Sequence, residues 1–366
     1  MASIKKTFPH AAAALGVLLA CIVIPLQSLA ADKIISAFAG PDRPVSQADL
    51  GAHPTGNEQY TESWGFVCAL DDGAYLLYTM MVSNVGIGDN NPGLDIIYID
   101  PEGKVSEIVV DASDTVVAAQ DEVLIDFGFA QLFGEHPTYR LKADTDVLSL
   151  DATVTANAAP RTIGSGRLDM EKGHYWQLAV LVPRGRIAGH IVLQGRRRPI
   201  AGWVYADHTW SDVAAFSFSR NWMSARIHTQ DMSIDLFRFE TADNQRIIGP
   251  MILSGPDLDL GAVDVTWKDL ETFTDPGMGF TLPRKTRASA AIDGYEIDVV
   301  LTITDRIQAF DAVKRLSPME RTVIKAVLDH IATYRYEAHY TLDVRGPKGT
   351  ISHRGTCLVE MVYFKD

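Results

Sequence analysis

Cysteine is scarce in this chain, with Cys21, Cys68 and Cys357 the only three among 366 residues. There is no CxxC pair and no Cys/His ligand set, so no structural zinc site is expected, while Cys68 and Cys357 could pair in an oxidising compartment. Positive charge is also in deficit. The formal net charge is −13, which argues against nucleic acid or an anionic membrane as the main partner. Several sequence motifs are missing as well. The Gly-x-Ser-x-Gly elbow is broken around Ser165, and no HExxH occurs. "VGIGDNN" lacks the third glycine of a dinucleotide fingerprint and runs into Pro92. "DNNPGLD", Asp89 to Asp95, offers alternating oxygen ligands, but Leu94 stands where a calcium loop needs glycine. No cofactor and no metal is therefore expected.

A long apolar run is present only at the N-terminus. Lys5 and Lys6 precede the apolar stretch Ala11–Pro25, and Ser28-Leu29-Ala30 follows as a small-x-small cleavage pattern. About fifteen apolar residues fall short of the ~20 needed to span a bilayer. Residues 1–30 read as a signal peptide, which predicts a periplasmic or secreted protein with no stable membrane span in the mature chain. Cys21 after "LLA" offers a lipid-anchor alternative. However, Ile22–Pro25 continues the apolar run where a polar tether would follow, so the soluble form is favoured.

From Tyr60 onwards the chain is rich in strand formers broken by turns. "GLDIIYIDPEGKVSEIVV" is a hairpin turning at Asp100–Gly103, and "TYRLKADTDVLSLDATVTA" alternates apolar and polar residues. "WQLAVLVPRGRIAGHIVLQG" reads as two strands around Pro183–Gly185, with Arg196–Arg198 as a solvated linker. A pattern repeats. Trp64 precedes a turn at Asp72-Gly73 and a long alternating strand, just as Trp222 precedes a turn at Gln230-Asp231 and "MSIDLFRFE". This predicts an all-β fold of two similar antiparallel domains, residues 31–198 and 199–366, with a seam near Gly195–Pro199. One amphipathic helix is expected near the C-terminus in "SPMERTVIKAVLDHIATYRY". It would be capped by Ser317, Pro318 and Glu320, with Val323, Val327 and Ile331 on its packing face.

The chemistry-bearing stretch is "VYADHTWSDVAAFSFSRNW", Val204 to Trp222. In a strand Tyr205 and Asp207 share one face, and His208 and Trp210 share the other. A carboxyl held in a dry interior keeps its proton at neutral pH. Aromatic faces such as Trp64, Trp203, Tyr205 and Trp222 would favour a cation formed by that proton. The same stretch also reads as a structural knot, with Asp207 and His208 bonded to backbone.

Three stretches carry a resemblance. "YTESWGFV" (60–67), "GWVYADHTWSD" (202–212) and "HRGTCLVEMVYF" (353–364) resemble the entry, Asp-His and closing segments of the lipocalin-like (calycin) family containing carotenoid 1,2-hydratase and AttH proteins. "MVSNVG" (81–86) is similar to fungal survival-factor-type proteins. Cys357 and Val362 depart from the family's tyrosine and glycine, and an exported chain departs from its membrane-associated hydratase. The resemblance implies two tandem β-barrels or sandwiches with apolar cavities for a hydrophobic small molecule, an isoprenoid or other lipid. It further implies that the Asp-His segment opens the second domain. Where members are active the chemistry is cofactor-free hydration, or cyclisation as in the lipocalin-like pericyclases. Mapped here, the acid–base residues would be Asp207, His208 and Tyr205, and the ligand would meet Glu62, Trp64, Trp203, Trp210 and Trp222. A non-catalytic lipid carrier and an envelope structural module are the alternatives.

Overall fold

The computed structural model describes residues 32–84, 89–111, 116–243, 245–256, 258–262, 264–315, 321 and 330–365. The expected signal peptide lies outside them. So does the expected helix at 316–320 and 322–329. Arg321 is helical, but from His330 the chain is strand, so Ile331 packs from a sheet and not from a helix.

Among the described residues, twenty-three strands form two antiparallel sheets. The first sheet begins with β1 (Ile34–Ala37), β2 (Thr61–Leu70), β3 (Tyr75–Ser83), β4 (Asn91–Ile99), β5 (Val105–Asp111) and β6 (Val117–Ala118). It continues with β7 (Val123–Asp126), β8 (Ala130–Glu135), β9 (Thr138–Asp144) and β10 (Leu148–Ala156). It ends with β11 (Arg167–Met170), β12 (Tyr175–Leu193) and β13 (Arg196–Ser211). The second holds β14 (Ser219–His228), β15 (Ser233–Thr241), β16 (Ile247–Ile248), β17 (Met251–Gly255) and β18 (Leu258–Ala262). Its remaining strands are β19 (Thr266–Thr274), β20 (Thr281–Ile292), β21 (Tyr295–Asp311), β22 (His330–Gly346) and β23 (Gly349–Lys365).

The strand orders show the internal repeat. The first path runs β5-β4-β3-β2-β13-β12-β10-β9-β8-β7-β6 and the second β18-β17-β15-β14-β23-β22-β21-β20-β19. In each, an early hairpin strand (β2 or β14) pairs with the last strand of its sheet (β13 or β23). Neither path returns on itself among the described residues, so both sheets are open.

Two sequence expectations change here. Pro183–Gly185 is no turn: β12 runs straight through it, and the register with β13 slips at Val182 and Gly185, a bulge that absorbs the proline. Likewise Arg196–Arg198 is not a linker but the exposed start of β13. The chain leaves the first sheet between Ser211 and Ser219, not near Gly195–Pro199. The Asp-His stretch therefore closes the first sheet and does not open the second.

Alternation decides what each strand buries. Along β2 every second residue is buried, which puts Glu62, Trp64, Phe66 and Cys68 on the inner face. That interior is filled by side chains, including Tyr78, Met80, Tyr139 and Leu141. The inner face of the second sheet carries Met223, Ala225, Ile227, Val359 and Met361. Cys68 and Cys357 lie in these two separate cores as free, buried thiols. Between the sheets a third layer forms, where Leu178, Val180 and Tyr205 meet Ile252. The short helix α1 (Gln47–Leu50) lies against one end of the first sheet, its N-terminus held by a Ser46–Asp49 capping box. Gly51 ends it where a Cβ would sit 2.6 Å from the Gln120 carbonyl oxygen, so only glycine lets the chain pass. A second short helix, α2 (Ala215–Phe218), links the sheets.

Candidate functional site

Strand β13 serves two clusters, one on each face. As the alternation predicts, His208 and Trp210 point into the first sheet, and Tyr205 and Asp207 point toward the second. The expected single acid–base centre is thus two.

On the inner face, His208 lies opposite Trp64 and Trp210 opposite Glu62, across the β2–β13 pairing. His208 Nε2 meets Glu62 Oε1 at 2.7 Å, and His53 Nδ1 meets the same oxygen at 3.0 Å. The His53 amide and the Tyr60 hydroxyl also donate to this carboxylate. Burial by itself would raise the Glu62 pKa, but the hydrogen bonds from His208, His53 and Tyr60 outweigh it and hold it at about 2. The last carbonyls of a helix have no partners within it, and those of α1 are used here. The Asp49 carbonyl accepts from His208 Nδ1 at 3.1 Å, and the Leu50 carbonyl from Trp64 Nε1 at 3.0 Å. Because a carbonyl only accepts, Nδ1 is the nitrogen that donates to Asp49, and Nε2 faces the Glu62 carboxylate. Indole rings stack on both imidazoles: Trp64 on His208 at 4.7 Å between centroids, and Trp210 on His53 at 4.1 Å.

On the outer face, Asp207 meets Arg226 of β14, with Nη2 to Oδ2 at 3.5 Å. Gly65, opposite Asp207 on β2, leaves the room its carboxyl needs. The Arg226 guanidinium also lies over the Tyr205 ring at 4.7 Å. Asp235, paired with Arg226 across β14 and β15, faces the same seam. It is only 4% exposed, and neither of its oxygens has a hydrogen-bond partner. Burial pushes the Asp235 pKa well above the usual carboxyl range; Arg226 opposes the rise and Asp207 adds to it. Burial also raises the Asp207 pKa, against the pull of Arg226 and the Tyr205 hydroxyl. Both carboxyls are raised in this seam, Asp235 the more strongly.

Two further orphans line this seam. Arg226 Nε and His228 Nε2 are buried without partners. Burial, then Arg184 and Arg226, push the His228 pKa down to about 3, so this imidazole is neutral. Its Nδ1 meets Ser233 Oγ at 2.7 Å, and that oxygen accepts from Arg184 at 3.0 Å.

The expected residues divide accordingly. Glu62, Trp64, His208 and Trp210 form the inner cluster, and Tyr205 and Asp207 join the outer one. Trp203 sits at the rim of the seam between Arg184 (3.9 Å) and Arg186 (4.7 Å). Trp222 packs on Phe364, apart from both clusters. Sequence reasoning missed His53, Tyr60, Arg226, His228 and Asp235. Asp235 and Arg226 had a signal: each is a charge among apolar neighbours on a strand whose other face is core. His53 sits in "GAHPTGNE", which has no periodicity to read.

No protein-family model matches the chain, and no curated protein matches it either. Solved structures do. A protein assigned as AttH from Nitrosomonas europaea superposes with a TM-score of 0.62 at 16% identity, over 87% of this chain and 97% of that one. Kievitone hydratase from Nectria haematococca gives 0.53 at 15% identity, over 89% and 97%. CghA gives 0.59 at 12% identity, over 90% and 98%. At these identities the likeness is one of fold, and it is the lipocalin-like architecture that the three sequence stretches resemble.

Proposed function

We propose that this protein binds a hydrophobic small molecule, an isoprenoid or other lipid, at the seam between its sheets and adds or removes water there without a cofactor. Asp235 carries the reading: a carboxyl 4% exposed, with both oxygens unpartnered, beside the Asp207 carboxyl and the Arg226 guanidinium. Such a group costs stability unless a ligand uses it.

In the proposed hydration, neutral Asp235 gives its proton to one carbon of a carbon–carbon double bond, and the π pair becomes the new C–H bond. The cation left on the other carbon is faced by Tyr205 and by the negative charge of the carboxyl pair. Water adds to that carbon, and its surplus proton passes to the pair, restoring the starting state. Net, one water crosses the double bond; dehydration is the reverse. Asp207, 19% exposed, stands on the solvent side where water would arrive. Arg226 offsets the negative charge left on the pair once the proton has been given. His208, which faces the other way, takes no part. That one of the similar folds is kievitone hydratase supports this choice of reaction. Cyclisation would use the same proton. The N-terminal segment with Lys5, Lys6 and Ser28–Ala30 supports export to the periplasm or beyond.

The test is native mass spectrometry of the purified chain, followed by incubation of the co-purified molecule with the protein in D2O. A deuterium gained at carbon, or a D2O adduct, is expected with the native chain. Asp235→Asn should slow it by about 10²–10⁴-fold while still binding the molecule. Equal turnover in Asp235→Asn would overturn the reading. Binding without any exchange in the native chain would leave a carrier.

A further inference from the structure

The inner cluster takes no part in that reaction and poses its own problem of charge. Glu62 is 1% exposed at its side chain, and its ion-pair partners among the described residues are His53 and His208 only. Two other buried carboxylates have permanent cations: Asp275 pairs with Arg306, and Asp311 with Lys314 as well as His330. A buried carboxylate matched only by imidazoles is balanced when those imidazoles are protonated or when they and the carboxylate share a metal ion.

The surroundings suit the metal. The donor atoms of His53, Glu62 and His208 all lie within 4.8 Å of one another. Bonds of about 2.0–2.2 Å from nitrogen and oxygen to zinc place tetrahedral ligand atoms roughly 3.3 Å apart, so the observed 2.7 and 3.0 Å need only small ring movements. Each ligand is also oriented from behind. The bond from His208 Nδ1 to the Asp49 carbonyl fixes the tautomer that leaves Nε2 to ligate. The Tyr60 hydroxyl and the His53 amide hold the Glu62 carboxylate. The stacked indoles of Trp64 and Trp210 hold the two ring planes. His53, 29% exposed at its side chain, is the entry side.

We propose that His53, Glu62 and His208 form a Zn²⁺ site, with the fourth position left to water. This departs from the expectation of a metal-free chain drawn from the missing motifs: the ligands come from a loop and two strands that no short motif joins. The proposal does not depend on the Asp235 reading, since the two clusters lie on opposite faces of β13.

The test uses the mature chain with no histidine tag, stripped with EDTA and titrated with ZnCl2 by calorimetry, with Co²⁺ as an absorbing probe. One equivalent per chain is expected, with visible Co²⁺ bands. Tyr60→Phe should weaken Zn²⁺ binding by about 10–100-fold. His53→Ala, at the accessible edge, should keep the metal-free melting temperature and weaken binding by at least about tenfold. His174→Ala, beside Asp212 and away from the cluster, should bind as the native chain does. Absence of stoichiometric binding, or an unchanged affinity in His53→Ala, would overturn the site and leave a protonated imidazole–carboxylate knot.

Discussion

The two sheets repeat one plan and fill it with different chemistry. In the first, the innermost cross-strand pair of β2 and β13 is Trp64 with His208, next to Glu62 with Trp210. In the second, β14 and β23 pair Met223 with Met361 and Asn221 with Tyr363. One register holds an ion cluster, the other thioethers. Closing such a sheet therefore does not require buried charge, since the second unit does without it at this place. The difference assigns the Glu62 cluster to function or specificity, because a charge-free interior is the cheaper way to pack.

The comparison is broken hardest by removing the central carboxylate. Glu62→Ala strands His208, His53 and Tyr60 and should cost about 3–5 kcal/mol in urea unfolding. Asn221→Ala, on β14 of the second unit, should cost only about 1 kcal/mol. Similar losses from both would mean that the two ends are equally structural. Next in size, Met361→His puts an imidazole into the second core without a carboxylate and should cost about 2–4 kcal/mol. A fall in stability under about 0.5 kcal/mol would show that core to be wetter than its hydrocarbon lining implies.

A smaller effect, of opposite sign, is expected in the seam. Burial raises the Asp235 pKa in the folded state above its unfolded value. Folding is thus favoured while Asp235 is protonated, and that advantage fades as pH rises through the folded value. Asp235→Asn removes the titration, so it should raise stability at pH 7 by about 1 kcal/mol, with the gain vanishing as pH falls below the usual aspartate range. Thermal melts of both proteins across pH would show the curves converge; parallel curves would mean Asp235 is satisfied in the fold. The smallest effect concerns the thiols. Cys68 and Cys357, each buried in its own core, should resist a thiol reagent alike in the native state and both react in denaturant. Selective labelling of one would show that its core opens.

Period-two alternation alone placed Asp207 and His208 on opposite faces. This works because successive Cβ atoms of any extended strand point to opposite sides, whatever the strand pairs with. The repeat was legible for the same reason, as was the all-β class. The pairing was not. β13 could have opened a second sheet or closed the first, and its side-chain pattern is the same in both cases. Only tertiary topology put β13 beside β2, brought His53 in from a loop, and set Asp235 and Arg226 of the second sheet against Tyr205 and Asp207 of the first. Burial depth, and with it which carboxyl keeps a proton, follows from that packing, because desolvation depends on every neighbour in space and on none in particular along the chain.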